Sequence, residues 1–316
     1  MTRKQALILR LTLLTVSGSG LAAIARAQPV SRMASKDSAI TAMATCKLPP
    51  ISGNQDRVRL VLDGKAAPLA QRKTVFAAYE RCAQNGDVNA QDLIGSLYYM
   101  GDSLPDALVT RDVNKARLYL SNAAAHGSVE DMAKMAEIEF AGQRYPSAMV
   151  WAQLFGHYSG AASDNAKSAG YFAHLLTRLS QHLHGDDMDA VTNDMNAFVS
   201  QYDKDVRDYT RAASSPAGGD MKWVNSNIPS PIPSYSGQRV DYCYADYLIA
   251  FRADGSVEDA WMLDAFPDAQ TGRRLLASTF RLRLAATEGT RAPRYVEVPV
   301  MYGVAVINND PRLLSH

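Results

Sequence analysis

Residues that carry chemistry are few in this sequence, and those present are not arranged for it. There are three cysteines, Cys46, Cys82 and Cys243; their spacings match no zinc pattern and no Cys-x-x-Cys redox pair occurs. A Gly-x-Ser-x-Gly elbow, a phosphate-binding glycine loop and a His-Glu-x-x-His helix are all missing, so nucleophilic and metal catalysis lack sequence support. An excess of charge of one sign is missing too, the formal net charge being +1, which argues against non-specific nucleic-acid binding. The reading is therefore of a non-enzyme, with no catalytic, cofactor-binding or metal-ligating residue assigned and no cofactor expected.

Long apolar runs are equally scarce, and the one that stands out is at the start. Arg3 and Lys4 precede the run Ala6 to Leu14, and Ala25-Arg26-Ala27 has the small-x-small form of a cleavage site, which is the pattern of a secretory signal peptide over residues 1–27 with Gln28 as the mature N-terminus. Arg10 and the Ser17-Gly18-Ser19-Gly20 stretch weaken the alternative of a spanning anchor, which wants about 20 apolar residues. The expected location is the periplasm, with no membrane span in the mature chain unless the N-terminal segment is retained. Loss of Arg3, Lys4, Arg10 and Arg26 takes the net charge from +1 to −3. Disulfides persist in that compartment, and an odd cysteine count leaves at least one unpaired in a monomer. Cys46 and Cys82 both lie in the N-terminal part and form the candidate pair, stapling the leading segment onto the first helix.

What the sequence does have is an internal repeat. Cys82 to Val88 reappears as Ala123 to Val129, and the spacing from Gly86 to Gly101 equals that from Gly127 to Gly142. Between the first two glycines, Ala90, Leu93, Ile94 and Leu97 are spaced to form one apolar helix face, and Gly101 is suited to end it. Ala116, Tyr119, Leu120, Ala123 and Ala124 make a second stripe before Gly127. The next copy runs through Met132, Met135, Ala136 and Ile138, stops at Gly142, and continues with Ala148, Trp151, Ala152 and Phe155. Gly95 and Ala136 are small enough for paired helices to approach closely. A lone hairpin cannot bury its apolar face, so copies must stack.

The strings at Ala90 to Gly101, at Lys115 to Gly127 and the Ala148-x-x-Trp151 step resemble Sel-one-like repeats, which are related to tetratricopeptide repeats, over about residues 70 to 160. The resemblance implies an α-solenoid of helical hairpins with a scaffold or adaptor role in the bacterial envelope and no catalytic residues. Two further amphipathic helices follow, one through Ala169, Phe172, Ala173, Leu176, Leu179 and Leu183 and one through Met188, Val191, Met195, Phe198 and Tyr202.

After Arg211 the composition shifts. Ser214 to Gly219 reads as a linker and Ile228 to Pro233 as an extended proline-rich stretch. Cys243, Ala245, Tyr247, Ile249 and Phe251 alternate as a strand, Asp254-Gly255 makes a turn, and Val257, Trp261 and Leu263 continue as its partner. Pro267-Asp268 starts a helix with Leu275, Leu276 and Phe280 as contacts, and Val296 to Val304 alternate as a last strand in which Pro299 favours an edge position. This order, with Pro231-Ile232-Pro233-Ser234-Tyr235 before it and Val298-Pro299-Val300-Met301-Tyr302 at its end, is similar to the C-terminal domain of TonB-type energy transducers. An edge of that kind is where a partner's strand can add.

The expected organisation is a mainly α chain: signal peptide 1–27, a partly extended leader 28–69, a helical-repeat domain 70–211, a linker 212–228 and a small α+β TonB-like domain 229–316. Envelope proteins are the expected partners, with nucleic acid excluded, and an energy-coupling component of outer-membrane transport is the rival function. Gln91 and Ser96, polar neighbours of the first apolar stripe, are the partner-binding candidates on a concave array surface. Glu137 and Glu139 read as a solvated face, and Tyr98, Tyr99 and Trp151 as core. The cluster His182-Leu183-His184-Gly185-Asp186-Asp187 reads as a polar helix end capped by Gly185, with the carboxylates opening the next helix, rather than as a metal site.

Overall fold

The computed structural model describes residues 57–159, 166–213, 223–225, 242–287 and 293–303. Residues 1–27, expected to form a signal peptide, with Gln28, the residue Cys46, the Ser214 to Gly219 stretch and the Ile228 to Pro233 stretch lie outside them. Among the described residues the chain is mainly helical, with a small antiparallel sheet region toward its C-terminus. No described helix is long and apolar enough to cross a membrane.

Helices α1 (Arg57–Leu62), α2 (Leu69–Gln84), α3 (Val88–Met100), α4 (Val113–Ala125), α5 (Val129–Ala141) and α6 (Tyr145–Ser159) follow one another, and each packs on the next. Side-chain caps set the starts. Asp87 accepts from the Ala90 N–H, Asp112 from those of Asn114 and Lys115, and Ser128 from that of Asp131, satisfying donors a helix start leaves open. Gly101 ends α3 with φ 46°, where a Cβ would lie 2.1 Å from the Arg111 nitrogen. Gly95 brings α3 onto α4, since a Cβ there would meet Leu120 Cγ at 2.6 Å. The second copy turns differently: Gly142 has φ −82°, and the left-handed residue is Gln143, φ 57°. Helix α7 (Ala166–Ser180) packs against α6, and α8 (Gly185–Ala213) runs back over α6 and α4.

Strands β2 (Tyr242–Phe251), β3 (Val257–Phe266) and β5 (Arg294–Gly303) form an antiparallel sheet in the order β3-β2-β5. Pro299 thus lies on an edge strand, opposite Asp246. Helix α9 (Ala269–Thr279), capped by Asp268, covers one face, where the Tyr247 hydroxyl donates to the Gly272 carbonyl at 2.6 Å. The other face meets α3, α5 and α7, with Tyr99 stacked on Phe266 at 4.7 Å and Tyr171 beside Tyr244 at 6.0 Å. The described residues belong to one compact unit, and helices and sheet contribute to one apolar core.

Several local expectations are corrected. A short strand, β1 (Trp223–Asn225), pairs with β4 (Arg283–Leu284) inside the expected linker. Gly185 opens α8 instead of capping the helix before it, because Asp187 turns back to accept from the His184 N–H. Phe280 is exposed, since α9 ends at Thr279 and Leu275 and Thr279 are the residues turned inward there. Glu137 and Glu139 are buried, because α5 is enclosed by α4, α6, α7 and the sheet instead of presenting a free side.

Candidate functional site

Helix α5 carries four ionisable residues that are almost wholly out of solvent: Asp131, Lys134, Glu137 and Glu139. A buried charge is tolerated when it is paired and hydrogen-bonded, and Lys134, Glu137 and Glu139 each turn to a different neighbour.

Lys134 turns to the sheet. Its ammonium lies 2.7 Å from Asp246 Oδ2 on β2, 2.8 Å from Asp264 Oδ2 on β3 and 2.5 Å from Asp92 Oδ1 on α3. It also donates to Ser96 Oγ at 3.1 Å. The Ser96 hydroxyl donates to Asp264 Oδ2 at 2.5 Å, and the Tyr244 hydroxyl to Asp246 Oδ2 at 3.0 Å. The backbone N–H of Asp246 reaches Asp264 Oδ1 at 3.3 Å. Three carboxylates converge within 4.8 Å of one another, a spacing that suits a cation, and the lysine supplies it. Burial works against the Lys134 charge, but Asp246, Asp264 and Asp92 outweigh it and hold its pKa well above the ordinary value. Burial also pushes the Asp246 carboxyl up to about 7, with Asp264 and Asp92 adding to the shift and Lys134 opposing it. Asp131, 3.7 Å from the ammonium, is driven well above the usual carboxylate range by burial and by Asp92.

Glu137 turns to α7. It receives two bonds from Arg178 Nη1, at 2.9 and 3.2 Å, and one from the Tyr171 hydroxyl at 3.0 Å. The Arg178 guanidinium lies 4.2 Å from the Phe140 ring centroid and 3.8 Å from that of Tyr242. His174 stacks on Tyr242 at 4.6 Å, and His182 meets Phe140 edge-on and stacks on Tyr145 at 4.2 Å. The result is a ladder of rings and one guanidinium along α7. A cavity of about 170 Å³ beside it is lined by Tyr99, Glu137, Phe140, Arg178, Tyr242 and Phe266, among others, smaller than the ~300–1,000 Å³ usual for small-molecule sites. Glu139 turns outward to Arg117 at 2.6 Å and to Arg144.

Ser96 and Gln91 were expected on an exposed binding face, and both are buried, at 1% and 6% exposure. Ser96 is covered because the chain's own sheet packs on α3, with Asp264 of β3 against the hydroxyl. Gln91 turns inward, its amide donating to the Ala83 carbonyl at 3.0 Å. Cys82 is disulfide-bonded and Cys243 is a buried thiol on β2; Cys46, the expected partner, lies outside the described residues. His182 and His184 are apart in role, one in the ring ladder and the other in the α8 start. The Lys134 cluster escaped sequence reasoning because its members come from α3, α5, β2 and β3. The one local signal was Lys134 three residues after Asp131, the only basic residue on a helix that also carries Glu130, Glu137 and Glu139.

No protein-family model matches the chain, and neither a curated protein nor a solved structure matches it significantly.

Proposed function

We propose that this chain is a non-catalytic protein–protein interaction adaptor of the bacterial cell envelope, exported to the periplasm by a cleaved signal peptide. In this reading α2 to α6 are hairpins of the Sel-one-like, tetratricopeptide-related kind, and the sheet with α9 is a TonB-like module. The observation that carries it is the free side of β5: the strand pairs with β2 along one edge, and among the described residues no strand pairs with the other. Glu297 and Pro299 are exposed there. An unpaired edge accepts an added strand through main-chain hydrogen bonds. Because the sheet packs on α3 and covers Ser96, binding is assigned to this edge instead of to the array's inner surface.

A photo-crosslinking residue at position 297 or 299 of the exported protein tests the assignment. Discrete crosslinks to one envelope protein are expected from both positions and not from one at exposed Leu118 on α4. Crosslinks from α4 alone would remove β5 from the reading.

The strand–strand–helix–strand order of β2, β3, α9 and β5, with the short β4 between the last two, favours a second reading, a TonB-type energy-transducer component of outer-membrane transport. That role requires the N-terminal segment to stay as an anchor. Release on osmotic shock supports the adaptor, and retention in the membrane fraction supports the transducer.

A further inference from the structure

The joint between helices and sheet holds more carboxyl groups than cationic ones. Asp92 from α3, Asp131 from α5, Asp246 from β2 and Asp264 from β3 surround the single ammonium of Lys134. Asp131 has no exposure, and neither of its carboxyl oxygens has a hydrogen-bond partner. Among the described residues, the other ionisable groups that act on the cluster are Glu130 on α5, Tyr244 on β2, Tyr209 on α8 and, from the solvent-exposed side of β5, Glu297, and none of them adds positive charge. Uncompensated carboxylates in a low-dielectric setting must take up a cation or a proton. Lys134 already occupies the point where Asp92, Asp246 and Asp264 converge, leaving no place for a metal-sized ion, whereas a proton needs no room.

We propose that this cluster binds a proton at neutral pH and that the proton is part of the lock joining the helices to the sheet, so that the joint is tightest in acidic solution and loosens as the pH rises toward and through neutrality. The direction follows from linkage. A carboxyl whose pKa is higher in the folded chain than in the unfolded one holds its proton more tightly when folded, so stability falls as pH rises between the two values. For Asp246 that window runs from the ordinary 3.8 to about 7, and burial together with Asp92 shifts Asp131 in the same direction.

The test is urea unfolding of the full chain across mildly acidic to mildly alkaline pH, for the wild type and Asp131→Asn, whose amide imitates the protonated acid without charge. The wild-type unfolding constant should rise with pH, by up to about tenfold per unit for each proton released. Asp131→Asn should show a shallower rise and be the more stable protein at the alkaline end. Should that variant fail to fold, the wild type labelled with carbon-13 at its aspartate carboxyls answers the same question, with at least one buried carboxyl carbon expected to keep its protonated shift at neutral pH. Parallel pH profiles, fully ionised shifts at neutral pH, or a stoichiometric metal ion copurifying with the wild type would each overturn the proposal.

Discussion

The Ser96 hydroxyl on α3 donates to Asp264 Oδ2 on β3 at 2.5 Å, joining the first helical hairpin to the C-terminal sheet through a side chain that reads as surface in the sequence. Ser96→Ala is therefore expected to lower the unfolding free energy by about 1–3 kcal/mol, the cost of withdrawing a partner from a buried polar group. Surface substitutions usually stay within about 0.5 kcal/mol, so urea denaturation separates the two positions. A variant indistinguishable from wild type would show that the contact contributes nothing.

Lys134→Met keeps most of the volume and removes the charge that holds Asp92, Asp246 and Asp264 together. A buried ion cluster that loses one partner is destabilised by about 3–5 kcal/mol. The loss should grow with pH, because ionised carboxyls are then left without the ammonium. Thermal melts at acidic and alkaline pH would reveal this as two different depressions of the midpoint, and equal depressions would contradict it.

Arg178→Lys preserves the positive charge beside Glu137 but not the planar group between Phe140 and Tyr242. Lysine supplies a compact ammonium in place of a flat fork, and a cost of about 1–2 kcal/mol is expected. Arg178→Met should cost more, since it also strands a buried carboxylate. Calorimetric melting of both variants gives the order, and a lysine variant as unstable as the methionine one would make the stacking, not the charge, the dominant contribution.

Cys82 is disulfide-bonded, and Cys46 is its expected partner. In denaturant without reductant, alkylation should mark Cys243 and leave Cys46 and Cys82 unlabelled, as read by peptide mass spectrometry. Closing a loop of that length stabilises by roughly 3–4 kcal/mol in the chain-entropy model. Labelling of all three cysteines would rule the pair out.

Helix periodicity made the hairpin elements legible: Ala90, Leu93, Ile94 and Leu97 are buried on α3, and Ala116, Leu120, Ala123 and Ala124 on α4. The turn at Gly101 and the hairpin around Asp254-Gly255 were legible as well, because a left-handed backbone selects glycine. Both Gly101 and Gly255 have positive φ. A single apolar stripe, however, reports only one buried side. Helix α5 is buried on several, and the polar residues on its other sides, Lys134, Glu137 and Glu139, read as solvated for that reason. The cluster itself depends on residues distant in the chain, and no local pattern links Asp92 to Asp246 and Asp264. The β1–β4 pair was missed because two or three residues carry too little alternation to register.

Strands β2 and β3 set Asp246 directly opposite Asp264, and like charges facing each other across a hairpin repel. Detached from the helices, this hairpin would carry an internal repulsion that no described residue of the C-terminal segment neutralises. The order of assembly follows. The helices α2 to α6, whose contacts are largely between neighbours in the chain, are able to form early, and the sheet can close only once α5 is in place to deliver its ammonium. The C-terminal module is in this sense a guest of the helical array: a fragment beginning at residue 229 would be born without its counter-ion.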